Sequence, residues 1–236
     1  MRGEPNSFVA IRHRRAARWP LIVLPWAITI LALILLPKIF VAKSAIGTLN
    51  QIGILAIFAL SYNVLLGLTG MLSFGHGMFF GFAGFVVIHA INVLSAAKAS
   101  VPLVVIPLLG ALASLVLAAI FGRPATKRGG TAFAMITLGL GEMIWAATAI
   151  FKGFFGGEEG ITTDRSGLMR FFGYDFGSPV QVYYLIVFWG VVSAAFLAFL
   201  PRTPLGQMAA AVRENENRVE FLGYHAATIR YLAFLI

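Results

Sequence analysis

Cysteine is absent from this chain of 236 residues, and charged side chains are scarce. Without cysteine the chain cannot form a disulfide, a thiolate metal site or a thiol nucleophile. Charged residues make up 11% of the sequence, whereas a soluble domain carries roughly 25%. Because so few charges cannot cover a water-exposed surface and 59% of the residues are hydrophobic, we expect lipid to be the main solvent of this protein.

Sequence patterns for catalysis and nucleotide binding are also missing. The chain has no G-x-x-x-x-G-K-[ST] loop, no Ser-His-Asp arrangement, no paired catalytic carboxylates and no cluster with metal-ligand spacing. The net charge of +9 is spread over several segments and does not form a patch for nucleic acid. We therefore predict that this protein is not an enzyme and that it binds no metal or nucleic acid. If ATP and Mg²⁺ are used, we expect partner subunits to bind them.

Long apolar runs dominate what is present. A helix needs about 20 apolar residues to cross a bilayer core of about 30 Å. Eight residues lie between position 229 and Ile236, and they make only about 12 Å of helix, so we expect a last span that is incomplete and a chain that is C-terminally truncated. The run after the basic N-terminus lacks a small-residue cleavage site, which favours an uncleaved first span. The predicted spans are 20–37, 45–66, 74–94, 102–121, 131–151, 182–200 and 229 onward.

The basic residues predict the orientation. With the N-terminus inside and Arg230 counted with the last inner segment, the inner segments hold twelve Lys and Arg and the outer segments hold six, as the positive-inside rule requires. Residues 1–19 then form a cytoplasmic tail, and residues 20–236 form the membrane domain. Residues 152–181 form a long outside loop and residues 201–228 a cytoplasmic loop.

A glycine-rich segment joins the second and third spans. One interpretation is helix packing through the G-x-x-x-G pair at Gly77 and Gly81. The other is a helix that breaks between Gly70 and Gly77 beside a translocation path, because irregular backbone survives at membrane depth only next to protein or a water-filled cavity. The candidate path residues are Gly67, Gly70, Ser73, His76, Gly77, Gly81 and Gly84.

Glu142 is the only acidic residue within an apolar run. A charge there costs about 2.5–3.5 kcal/mol on insertion scales. Gly139, Ala146 and Ala149 share its helical face, and small residues favour contact with protein over lipid. Glu142 is therefore either a structural residue, protonated or bonded to the broken backbone near Gly70, or a further residue of the path.

The loop 201–228 has the composition of a helix that binds protein. Pro204 opens a helix-forming stretch in which Met208, Val212, Val219 and Leu222 recur at helical spacing, and Gly223 is a candidate C-cap. Mixed charge fits a protein groove better than a lipid surface, where the polar face is usually basic. The candidate contact residues on the polar side are Arg213, Glu214, Glu216 and Glu220.

Four segments resemble the permeases of bacterial high-affinity branched-chain amino acid ABC transporters. They are GLTGMLSFGHGMFFGFAGF, RGGTAFAMITLGLGEMI, GGEEGI and RTPLGQMAAAVRENENRVEFLGYH, and the resemblance covers residues 45–236. It implies an all-α polytopic bundle in the bacterial inner membrane, with ATPase coupling through 201–228, where Glu214, Glu216 and Gly223 fall at motif positions. The implied partners are a second homologous permease, two cytoplasmic ABC ATPases, a periplasmic binding protein and membrane lipid.

Three other functions stay open at this point. Similar permeases carry urea or short amides. An ion-coupled secondary transporter would usually place several ionisable groups at membrane depth, and Glu142 alone does so here. A membrane enzyme would have to use His76, His89 and Glu142, which are sparse and scattered.

Overall fold

The computed structural model describes residues 19–40, 42–97, 102–163, 170–171, 174–175 and 178–236. These residues are almost entirely helical, which confirms the predicted all-α polytopic fold. Most of the predicted N-terminal tail, residues 1–18, lies outside the described residues, as does much of the middle of the outside loop 152–181.

The chain divides into two compact units, Met1–Thr48 and Leu49–Ile236. The first unit contains helix α1, Trp19–Ile39, and the first turn of helix α2, Lys43–Thr69. The second unit contains the rest of α2 and the following helices: α3 Gly77–Ala96, α4 Ile106–Ala125, α5 Gly130–Ile150, α6 Lys152–Phe155, α7 Pro179–Phe199, α8 Pro204–Glu214, α9 Glu216–Phe221 and α10 Ala226–Phe234.

Short elements complete the second unit. Two 3₁₀ turns lie at Gly157–Glu159 and Leu200–Arg202. The outside loop contributes a minimal antiparallel ribbon of strands β1, Arg170–Phe171, and β2, Tyr174–Asp175, in which Arg170 is paired with Asp175.

Five described helices are long and apolar enough to cross a membrane, namely α2, α3, α4, α5, and α7 with the turn that follows it. They correspond to the predicted spans from 45–66 to 182–200. The predicted first span forms α1, in which Leu24–Ile39 is apolar. Between 11% and 28% of each apolar window is buried within the chain, so most of these helix surfaces need lipid or further protein to cover them.

Side-chain packing and hydrogen bonds fix the helices of the second unit against one another. Helices α3 and α4 have the most extensive contact, and a Cβ at Gly110 would lie 3.0 Å from Val87 Cγ2. The Trp189 indole of α7 donates to the Val104 carbonyl, at 3.1 Å, just before α4 begins. The His89 Nε2 hydrogen bond to the Phe154 carbonyl, 2.7 Å long, ties α3 to α6. His89 is therefore a structural anchor for the start of the segment 152–181.

Candidate functional site

The glycine-rich segment forms a break between two helices that are each long and apolar enough to cross a membrane. Helix α2 ends at Thr69, α3 begins at Gly77, and residues 70–76 between them are not helical. Gly70 has φ +68, a left-handed conformation that ends the helix and favours glycine. The His76 ring lies 3.0 Å from the Ser61 hydroxyl. Ser61 is eight residues before Thr69, so the segment returns about 12 Å along α2 into the bundle.

Two glycines bring the backbone of this segment against α5. A Cβ at Gly75 would overlap the carbonyl oxygen of Thr137 and lie 2.8 Å from its carbonyl carbon. Conversely, a Cβ at Gly141 would lie 3.1 Å from the Gly75 Cα. Thr137 is fully buried, and its hydroxyl donates to the Ala134 carbonyl. The break therefore depends on a backbone-to-backbone contact that excludes any side chain at Gly75.

Polar groups in the break are only partly satisfied. The Thr69 hydroxyl accepts from the Met71 N–H at 3.3 Å. The Ser61 hydroxyl donates to the Phe58 carbonyl, so its oxygen is left to accept from His76 Nε2, and a neutral His76 then has Nδ1 as an acceptor. His76 Nδ1 and the buried Ser73 Oγ have no hydrogen-bond partner among the described residues.

A cavity of about 390 Å³ lies beside the break. This volume falls in the range of small-molecule sites, roughly 300–1,000 Å³. Its polar lining comes from Ser61, His76 and Ser114, and the rest of its wall is apolar and includes Phe58, Phe79 and Leu115. A predominantly apolar cavity with a few hydrogen-bonding groups suits a small solute that has both apolar and polar parts.

The predicted path glycines do not share one environment. A Cβ at Gly67 would meet only the Asn63 Oδ1, at 3.8 Å. Nothing described lies within 4 Å of a Cβ at Gly77, Gly81 or Gly84. The interpretation of Gly77 and Gly81 as a packing pair therefore finds no partner helix within the described residues.

Glu142 lies on an exposed face of α5. Ala146 and Ala149 are exposed with it, and a Cβ at Gly139 would meet nothing within 4 Å. The carboxyl group makes no hydrogen bond or ion pair with a described residue, so the expected bond to the backbone near Gly70 is absent from this chain. The small-residue face points away from the bundle, because the opposite face of α5 already contacts Gly75.

The segment 201–228, predicted to be cytoplasmic, forms two helices where the sequence predicted one continuous stretch. The Thr203 hydroxyl caps α8 by accepting from the Gly206 N–H at 3.2 Å. Asn215 interrupts the helix with φ −157 and ψ 100, and its side chain caps α9 by accepting from the Arg218 N–H at 3.0 Å. Gly223 follows the end of α9 with φ +88, which agrees with the predicted C-cap. Asparagine breaks the helix because its side-chain oxygen competes for backbone N–H groups.

Two arginines attach this segment to the helix bundle. Arg213, in the last turn of α8, donates to the Gly67 carbonyl in the last turn of α2. Arg230 of α10 is 5% exposed and donates to the carbonyls of Thr126 and Lys127 at the end of α4, at 3.1 and 3.4 Å. Arg230 also pairs with Glu216 at 2.8 Å. Of the predicted contact residues, Arg213 and Glu216 therefore contact the chain itself.

The remaining predicted contact residues, Glu214, Glu220 and Gly223, are exposed. Beside them is an apolar tip that the sequence analysis missed. Phe221, Leu222 and Tyr224 are 91%, 71% and 49% exposed. Leu222 recurs at helical spacing with Val212 and Val219, which are buried, but it is exposed because α9 ends at Phe221 and Leu222 is its C-cap. The sequence signal was present, since two large apolar residues directly before a glycine turn are exposed once the helix ends there.

Over the residues that the structure describes, no three His, Cys, Asp or Glu side chains come together to hold an ion.

Comparison with known proteins decides the family. Residues 44–236 match the family described as "Branched-chain amino acid transport system / permease component". The chain belongs to this family. It is 30% identical over 212 residues to the "High-affinity branched-chain amino acid transport system permease protein LivM" of Escherichia coli (strain K12), a match that covers 81% of this chain and 48% of the relative.

Two further relatives carry similar names. The LivM protein of Salmonella typhimurium is 28% identical over 217 residues, which cover 83% of this chain and 50% of the relative. The "High-affinity branched-chain amino acid transport system permease protein BraD" of Pseudomonas aeruginosa is 25% identical over 191 residues, which cover 77% of this chain and 62% of the relative. The chain thus spans about half the length of the LivM proteins. No solved structure matches it.

Membership in this permease family and the five apolar helices make the chain a multi-pass membrane protein. The recognition made from the four sequence segments is confirmed. The roles predicted for individual residues are not tested by the family match, and they stay predictions.

Proposed function

We propose that this chain is a permease subunit of an ATP-driven ABC importer for branched-chain amino acids. It would work in the bacterial inner membrane with its N-terminus in the cytoplasm, beside a second homologous permease. Two cytoplasmic ABC ATPases would bind ATP and Mg²⁺, and a periplasmic binding protein would deliver the solute. The observation that carries the proposal is the exposed tip of α9, Phe221, Leu222 and Tyr224, on a segment that is anchored to the broken helix of a family permease.

The tip has the properties of a docking surface. Large apolar side chains at this exposure are unfavourable in water unless a partner covers them. Interface cores favour aromatic residues, with polar and charged side chains around them. Glu214 and Glu220 supply that rim here, and both are exposed. A groove on a soluble ATPase that is apolar at its centre and basic at its edge would fit this surface.

The cavity beside the break supports the choice of solute. Its apolar wall suits a branched aliphatic side chain, while Ser61, His76 and Ser114 offer hydrogen bonds to polar groups. Urea and short amides, the alternative cargo, have little apolar surface to bury in such a wall. Glu142 and its small neighbours are exposed, and in this proposal they would meet the second permease or the solute.

Reconstitution tests the proposal directly. The chain would be co-purified with its candidate ATPases, second permease and binding protein, and uptake of labelled leucine and urea would be measured in proteoliposomes. We expect leucine uptake to require ATP on the side of the membrane where the ATPases bind. We also expect this uptake to persist when ion gradients are dissipated. Uptake driven by an ion gradient without the ATPases would identify a secondary transporter, and uptake of urea alone would identify the amide carrier.

A matched pair of variants tests the docking surface. Phe221→Asp places a charge at the centre of the tip and should weaken capture of the ATPases about tenfold or more, as loss of a central interface aromatic does. Gln207→Asp adds the same charge at another exposed position of the segment and should leave capture unchanged. Equal capture by both variants would remove the tip from the interface.

A further inference from the structure

The cytoplasmic segment does more than present a docking tip, because its Arg213 completes the end of helix α2. The last carbonyls of a helix have no partner within it. Gly67 is in this position, since the Leu66 carbonyl receives the Gly70 N–H and the Met71 N–H turns to the Thr69 hydroxyl. The Arg213 guanidinium supplies the missing donor to the Gly67 carbonyl. A cation is also favoured there by the partial negative charge of a helix C-terminus.

The same side chain lies against the first residue of the break. A Cβ at Gly70 would be 3.1 Å from Arg213 Cγ and 3.6 Å from Cδ. Gly70 must be left-handed to stop the helix, and Arg213 packs on it in that conformation. The position of α8 and the position of the chain turn are therefore linked through one side chain.

The residues that directly follow Gly70 continue this linkage, because they pack into the helix bundle. Met71 is 1% exposed and packs in a cluster with Leu65 and Phe133. Four residues later Gly75 contacts the backbone of α5, and His76 contacts Ser61. A shift of Gly70 would be passed on along residues 70–76, because Met71 is buried and Gly75 packs directly against the α5 backbone.

We propose that Arg213 is a positioning residue that transmits movement of the cytoplasmic segment to the broken segment 70–76. This inference rests on the proposed function, in which the partner ATPases move that segment. The Arg230 bonds to the end of α4 hold the segment at a second point. A shift of α8 relative to the Arg230 anchor would then change the conformation of residues 70–76.

A labelling experiment tests the linkage on this chain alone, without any partner. The natural sequence has no cysteine, so a single Ser73→Cys substitution gives a unique thiol. Ser73 is 3% exposed, and its hydroxyl has no partner among the described residues, so the nearly isosteric thiol loses no hydrogen bond that the structure records. The rate of reaction with N-ethylmaleimide in lipid nanodiscs then measures how often the break opens.

Arg213→Ala should raise this rate about fivefold, which corresponds to about 1 kcal/mol for one partly exposed charge-assisted hydrogen bond. Arg213→Lys keeps the cation at the helix end and should restore part of the protection. Arg218→Ala is the matched control, because it removes an exposed arginine from the same segment without a side-chain bond to the bundle. Circular dichroism should show the same helix content in all three variants.

The outcomes separate this inference from the proposed function. An unchanged labelling rate in Arg213→Ala, or an equal rise in Arg218→Ala, overturns the linkage even if the ATPases dock. Failure of the intact chain to capture the ATPases overturns the docking proposal and leaves the labelling result interpretable. If both hold, adding the ATPases with ATP should change the Ser73→Cys labelling rate in the intact chain, and Arg213→Ala should reduce that response. An unaltered response in Arg213→Ala would contradict transmission through this side chain.

Discussion

Replacing Gly75 by alanine adds one methyl group to the contact between the broken segment and α5. The new Cβ would lie 2.8 Å from the Thr137 carbonyl carbon and would overlap the attached oxygen. Favourable contacts between carbon atoms are about 3.5–4.0 Å long, so the two backbones would have to separate by about 1 Å. Neither side can move easily, because Thr137 is fully buried and is part of a regular helix.

We expect Gly75→Ala to lower the stability of the folded chain by about 3 kcal/mol, the upper part of the range for overpacking. For a chain of this size that loss corresponds to a fall of about 10 °C in Tm. The measurement is thermal unfolding in detergent, followed by tryptophan fluorescence. Gly77→Ala is the control, since two residues away a Cβ meets nothing within 4 Å, and its Tm should be equal to or slightly above that of the unmodified chain.

A second measurement shows where the damage is. The break should become accessible in Gly75→Ala, so a thiol at Ser73 should react faster than it does in the Gly77→Ala background. If Gly75→Ala and Gly77→Ala unfold at the same temperature and protect Ser73→Cys equally, the backbone contact between the break and α5 does not exist as described.

Three more predictions follow from individual contacts. Arg230→Ala should destabilise the chain by about 2–3 kcal/mol in the same thermal assay. This is less than the roughly 3–5 kcal/mol lost when a fully buried ion pair is broken, because the Glu216 side chain is 44% exposed and can be solvated. An unchanged Tm would contradict the anchoring role of Arg230. Glu142→Gln should leave membrane insertion intact and reduce leucine uptake about tenfold, the value of one charge-assisted hydrogen bond, and full uptake would remove the proposed role of its charge. Gly81→Ala should raise the Tm of the isolated chain slightly, whereas poorer capture of the second permease by this variant would show that a partner helix packs there.

Much of the fold could be predicted from the sequence because the membrane restricts the possible structures. Of the six complete spans that the apolar runs predicted, five correspond to helices long and apolar enough to cross a membrane, with ends within a few residues of those observed. The break between Gly70 and Gly77 was also predictable, since closely spaced glycines and polar residues within an apolar region indicate irregular backbone. Helix ends were less predictable, and α4 runs on through Arg123 and Pro124 into the predicted loop, because a proline near a helix end disturbs few hydrogen bonds.

The candidate site was predictable only where the signal is local. A helical pattern over 201–228 could not show that Asn215 breaks the helix, because its effect depends on whether the side chain accepts from Arg218 or points to solvent. The carbonyl partners of Arg213 and Arg230 could not be predicted either, since Gly67 and Thr126 lie more than 100 residues away in sequence. The environment of Glu142 could not be predicted for a similar reason. Its small neighbours indicate that this helix face contacts protein, but they do not show whether that protein is the same chain or a partner.

The end of helix α2 has a consequence for biosynthesis. Arg213 is 146 residues downstream of the carbonyl it caps, and Arg230 is 104 residues downstream of Thr126. When α2 and α4 leave the ribosome and enter the bilayer, neither helix yet has its final donor, so water or lipid headgroups must occupy those carbonyls. The ends of α2 and α4 therefore gain their arginine donors only after the chain has been synthesised as far as Arg213 and Arg230.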